Sequence, residues 1–168
     1  MSIDQSDAEL DESRARGTNG IALVHYIAAT WFGVGRIKFG PGTVATATVL
    51  PIYWLLQLAA APVQLAFVAL VVVLAVVCAQ WVAADQGRDD PQIIVIDEVA
   101  GGLIALLLLN SPSLVPQLAA LALFRVLDIY KPWPINLSPS RHAGLNIVYD
   151  DVVAGICAGL IVQMVRFA

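Results

Sequence analysis

Charge is scarce in this chain. Lys, Arg, Asp and Glu make up 13% of its 168 residues, against roughly 25% in an ordinary soluble domain. Apolar residues reach 59%, more than a core of this size can hide. Both departures argue against a soluble domain and for a membrane protein. Cysteine is nearly absent. Cys78 and Cys157 lie in apolar runs with no CxxC or Cys/His spacing, so a zinc site is not indicated and both read as free buried thiols. No basic cluster with interleaved aromatics is present, which argues against nucleic acid. No apolar stretch opens the chain as a signal peptide would. No internal repeat is evident. Residues 1–20 hold Asp4, Asp7, Glu9, Asp11 and Glu12 against Arg14 and Arg16. They read as a disordered acidic tail on the cytosolic side. The remaining body, residues 21–168, is nearly balanced, with eight acids and seven bases.

What the chain has in abundance is apolar runs. Residues 21–32 are too short to span a bilayer and fit an interfacial helix. A loop rich in Gly and Pro follows at 33–43. Apolar segments then occupy 44–58, 63–84, 93–109, 114–129 and 147–167. The second is a clear span of about 20 residues; Pro51 should kink the first. The expectation is all-α: a multi-pass helical bundle of about five apolar helices with an N-terminal interfacial helix. If each segment crosses, the loops at 33–43, 85–92 and 130–146 share one face. That face collects Arg36, Lys38, Arg88, Lys131 and Arg141, while 59–62 and 110–113 on the other carry no charge. The bias of basic residues puts the charged face in the cytoplasm. The eight body acids fall on the same face. Gly155 and Gly159 form a GxxxG pattern, which would let helices of two copies approach closely.

Two adjacent acid pairs, Asp97-Glu98 and Asp150-Asp151, sit inside or against the apolar runs. A carboxylate there is costly unless something cationic meets it. The bland alternative is a pair of solvated helix starts favoured by the helix dipole. Two acids at the same kind of position, twice, exceed what capping needs. Magnesium binds through one or two carboxylates and substrate phosphate oxygens, so Asp97, Glu98, Asp150 and Asp151 could supply one or two Mg²⁺ ions. Gly40-Pro41-Gly42-Thr43 leads into a helix whose free amides could meet an anion; most such turns are only caps. Asp128 has Arg125 at i−3 and Lys131 at i+3, so it reads equally as a rung of an ion-pair ladder or as a ligand. His142 could protonate a leaving alkoxide, though a solvated loop histidine fits as well. Asp89 and Asp90 read as solvated, and His25 as structural.

These residues together resemble the phosphatidylglycerophosphatase A family. The resemblance rests on Phe32-Gly-x-Gly with Pro41-Gly42-Thr43, on Asp97-Glu98-x-x-Gly101, on Phe124-Arg125-x-x-Asp128-x-x-Lys131-Pro132-Trp133-Pro134-Ile135, and on Asp150-Asp151-x-x-Ala154-Gly155. It covers roughly residues 30–160. It implies an all-α, Mg²⁺-dependent lipid phosphatase of the bacterial inner membrane that converts phosphatidylglycerophosphate in the bilayer to phosphatidylglycerol. Catalytic candidates are then Asp97, Glu98, Asp128, Asp150 and Asp151. Arg125 and Lys131 would hold phosphate, with Lys38, Arg141 and Thr43 beside them. No CxxxxxR, DxDx[TV] or paired-His phosphatase pattern occurs, so metal-activated water is simpler than a covalent phosphoenzyme. The rival class is a small cation or proton transporter using the embedded acids. It would need acids near mid-membrane or on both faces.

Overall fold

The computed structural model describes residues 20–137, 140 and 142–167. The expected acidic tail and Arg141 lie outside the described residues. Six α-helices, and no strand among the described residues, make the chain all-α. They are α1 (Gly20–Ala29), α2 (Pro41–Leu56), α3 (Ala61–Gln86), α4 (Ile96–Leu109), α5 (Leu114–Tyr130) and α6 (Ala143–Phe167), with a 3₁₀ turn at Val34–Arg36.

Local chemistry sets the boundaries. Pro41 and Pro62 stand in the first turns of α2 and α3, where a missing N–H costs nothing. α2 runs on through Pro51. α3 stops at Gly87, whose φ of 60° lets Arg88 N–H reach back to the Ala83 carbonyl. α4 starts at Ile96 rather than 93, because Ile94 N–H closes a turn onto Pro91. α6 starts four residues earlier than the apolar run. Asp150 and Asp151 therefore lie about two turns inside a helix. The solvated helix-start reading does not apply to them.

The helix α4 is the centre of the molecule and packs against α2, α3, α5 and α6. Ten of its fourteen residues are buried, so it needs no lipid-facing surface and is a core helix. Among the described residues, only α3 and α6 are long and apolar enough to cross a membrane. The expectation of about five apolar spans is thus narrowed to two by length and composition. The short segments owe their apolar character partly to protein neighbours.

Glycine lets α4 and α6 approach closely. A Cβ on Gly155 would lie 2.3 Å from the Gly101 carbonyl oxygen, and one on Gly159 would lie 2.6 Å from that of Ala105. The glycine face expected to join two copies is therefore consumed inside one chain. At the opposite end of the bundle, Gln117 is buried but fully engaged: Trp54 Nε1–H donates to its Oε1, and its Nε2 donates to the Ser111 carbonyl. The helix α1 lies against the end of α3. His25 stacks on Trp81 at 5.1 Å, and the Tyr26 hydroxyl donates to Asp85 at 2.7 Å.

Candidate active site

The floor of the site is built where α4 meets α6. Asp97 and Glu98 occupy the first turn of α4. Asp151 comes from α6, and the glycine seam brings it close; a Cβ on Gly101 would sit 2.6 Å from the Asp151 carbonyl oxygen. One carboxylate oxygen from each of Asp97, Glu98 and Asp151 lies within 4.8 Å of the others. Asp97 is 8% exposed and Asp151 3%. Asp97 Oδ1, Glu98 Oε2 and Asp151 Oδ1 are buried without a hydrogen-bond partner. Buried unpaired acceptors are costly, and three like charges this close are costlier still. A cation would compensate the arrangement, as would uptake of protons by the carboxyls. An all-oxygen donor set of this kind suits a hard divalent ion such as Mg²⁺.

The walls carry charge of the other sign. A cavity of about 400 Å³ stands over the acids, lined among others by Lys38, Gly40, Pro41, Gly42, Arg125 and Lys131. Arg125 Nη1 is 2.5 Å from Asp128 Oδ2 and 3.6 Å from Glu98 Oε1. Its Nε is buried without a partner. Lys131 Nζ donates to Asp150 Oδ2 at 2.7 Å. Burial works against its ammonium, but the hydrogen bond and charge of Asp150 outweigh that and raise its pKa above the ordinary lysine value. Five carboxylates thus surround two inner cations, a local excess of negative charge that a divalent ion would offset.

The expected site residues divide as follows. Asp97, Glu98, Asp128, Asp151, Arg125, Lys131 and Lys38 all line one cavity. Asp150 does not join the acid trio; it faces Lys131 instead. Lys131 is not on the Asp128 face of α5, because it forms the helix C-cap with φ 42° and leaves the helical path. The ladder therefore has one rung, Arg125–Asp128. Thr43 is exposed and does not line the cavity, although Gly40, Pro41 and Gly42 just before it do. His142 lines a separate apolar groove with His25 and Trp81, so it is not placed to protonate a leaving group in this cavity. Asp90 and Gln92 do line it. Asp90 had read as solvated; only its loop's proximity to the start of α4 hinted otherwise. Gly42 was seen only as part of a helix start.

A family model described as Phosphatidylglycerophosphatase A matches residues 27–166. Among curated proteins, the chain is 33% identical over 138 residues to a phosphatidylglycerophosphatase A of Escherichia coli (strain K12), covering 81% of this chain and 80% of that one. It is 37% identical over 145 residues to a phosphatidylglycerophosphatase A of Haemophilus influenzae, covering 84% and 88%. It is also 31% identical over 150 residues to a putative phosphatidylinositol-3-phosphatase of Bacteroides thetaiotaomicron, covering 84% and 92%. No solved structure matches the chain.

Proposed function

The chain belongs to the phosphatidylglycerophosphatase A family, and from that membership we propose that it hydrolyses phosphatidylglycerophosphate to phosphatidylglycerol and phosphate, with Mg²⁺ held by Asp97, Glu98 and Asp151. The observation that carries the reading is the buried, partnerless acid trio beneath a cavity walled by cations. Magnesium bound there would polarise the phosphoryl group and acidify a water. The chain's own residues do the rest. Arg125, fixed by Asp128 and Glu98, offers preorganised donors to the phosphoryl oxygens with little reorganisation. Lys131 and Lys38 add charge at the wall. Asp150 orients Lys131. Asp90 and Gln92 line the same cavity.

The protein acts, on this reading, as a multi-pass protein of the bacterial inner membrane. The helices α3 and α6 cross, the shorter α2, α4 and α5 pack with them in the bundle, and α1 lies in the interface. The cavity opens at the basic, cytoplasmic end. The lipid's tails then stay in the leaflet while its phosphate meets ions and water. The transporter reading has no support of this kind, since the acids gather at one end of the bundle.

A second headgroup is favoured by one observation, the resemblance to a putative phosphatidylinositol-3-phosphatase. The test is phosphate release by purified protein from phosphatidylglycerophosphate and from phosphatidylinositol 3-phosphate, with and without Mg²⁺. Magnesium-dependent release from the first lipid is expected. Release from the second alone would transfer the assignment to that substrate, and release from neither would end it.

A further inference from the structure

Gly42 is buried in the first turn of α2, and its α-carbon faces two side chains of the site. A Cβ placed there would lie 2.0 Å from Glu98 Oε1 and 3.0 Å from Arg125 Nη2. The other close-packed glycines differ in kind. A Cβ at Gly35, Gly101, Gly144 or Gly155 would strike a neighbour's backbone carbonyl at 2.0–2.6 Å, so a side chain there would push helices or loops apart. Among the described glycines, Gly42 alone is blocked first by the end of an acidic side chain. Its backbone is otherwise ordinary helix, and its carbonyl accepts a hydrogen bond from Thr46 Oγ1 at 2.9 Å. Any residue could adopt that conformation. The requirement for glycine comes from the space that Glu98 fills.

We propose that Gly42 is a positioning residue: the missing side chain is the slot that holds the Glu98 carboxylate between Arg125 and the acids of Asp97 and Asp151. This deepens the proposed function and rests on it. Three observations converge. Glu98 Oε1 points into the slot and lies within ion-pair distance of Arg125. Glu98 Oε2 is buried without a partner. Glu98 shares the cluster with Asp97 and Asp151. Adding one methyl group would cost the fold little, because a flexible carboxylate can swing aside. It would cost the site much, because that carboxylate would leave the cluster and loosen its hold on Arg125.

The test is Gly42→Ala in two backgrounds, wild type and Glu98→Asp, whose carboxylate is one methylene shorter and retreats from the slot. Three readouts are taken on full-length protein in detergent: Mn²⁺ affinity by electron paramagnetic resonance, melting temperature without metal, and kcat/KM on the lipid substrate. In the wild-type background Gly42→Ala is expected to weaken Mn²⁺ binding and kcat/KM by about tenfold or more, the scale of a displaced ligand shell. The metal-free melting temperature should stay within about 3 °C, as for a substitution away from a packed core. In the Glu98→Asp background the same methyl should cost less than about threefold, a non-additivity that marks direct contact. Equal losses in both backgrounds would overturn the proposal, because Gly42 would then act through the start of α2. A large fall in melting temperature would overturn it too, making Gly42 structural. Mn²⁺ binding is read without substrate, so a wrong choice of lipid would silence the kinetic arm and leave the positioning result intact.

Discussion

Replacing Asp151 by asparagine should make the metal-free protein more stable and the enzyme worse. The side chain keeps its shape and loses its charge. Asp151 is 3% exposed, and the three clustered oxygens lie within 4.8 Å of one another. Ionised, two carboxylates at that distance would repel by about 3.5 kcal/mol at an effective dielectric of 20, part of which the metal-free cluster relieves by taking up protons. Arg125 and water screen the cluster, so a recovery of about 1–3 kcal/mol is expected, or about 3–9 °C in Tm for a chain of this size. Magnesium reverses the order. At a hundredfold excess over Kd a bound ion stabilises the wild type by about 2.7 kcal/mol. A ligand loss that weakens binding about tenfold to a hundredfold leaves about 1.4 to 0.4 kcal/mol of that stabilisation at the same concentration. The assay is thermal unfolding in detergent, followed by tryptophan fluorescence with and without Mg²⁺, alongside phosphate release. The crossing of the two variants, Asp151→Asn ahead without metal and behind with it, is the signature. A lower metal-free Tm, or a magnesium shift equal to wild type, would refute the assignment of the trio as a cation site.

Lys131→Met should lower kcat/KM by about tenfold, the loss of one charge-assisted contact, and the drop should persist in an Asp150→Asn background. Recovery of wild-type kinetics in the double variant would reduce Lys131 to a structural partner of Asp150. The Lys131 pKa is raised above 10.5, so the pair's stabilisation is complete below that pH and is lost only as pH rises through the folded value. A Tm that drops between pH 7 and 9 in wild type but not in Lys131→Met would contradict this. With native cysteines replaced, a cysteine at Arg88 should resist an impermeant thiol reagent in intact cells while one at Ser113 reacts. The reverse pattern would invert the proposed topology.

The long apolar runs made α3 and α6 legible in the sequence, since length and hydropathy alone define them. The role of α4 was not legible. Its residues Ile96–Leu109 look as apolar as a span, and only packing reveals that protein covers ten of the fourteen. The acid pairs stood out because carboxylates are rare in such runs, but their division did not. Successive residues on a helix point about 100° apart; the longer Glu98 side chain still brings its oxygen to that of Asp97, whereas the two shorter side chains of Asp150 and Asp151 separate. One turned to Lys131 and the other to Asp97. Thr43 fails for the same reason, one position after Gly42 and facing away. The path of Lys131 depends on its left-handed C-cap before Pro132, which bars a further helical turn. Spacing at i+3 assumed that the helix continued. Asp90 was hidden because a loop acid carries no periodicity to say where it points.

The shortness of α4 has a chemical use. Fourteen residues span about 21 Å and the 26 of α3 about 39 Å, against a hydrocarbon core of about 30 Å. On the proposed membrane reading, a helix that short would not reach both interfaces of a bilayer crossed by α3 and α6. Asp97 and Glu98 lie in its first turn, with Asp97 buried and the Glu98 side chain 15% exposed. Their clustering with a third acid depends on the glycine seam. Between Gly101 and Gly155 the backbones approach so closely that a single Cβ would clash, and that approach brings a third carboxylate from α6 within ligand distance. The same burial lowers the local dielectric, which strengthens both the repulsion among the acids and their attraction for a cation. A site of this design binds weakly as a loose surface cluster and strongly as a packed one. With the ion held as proposed, helix packing and affinity for it become one property of the α4–α6 contact, and a substitution that widens the seam is expected to weaken both together.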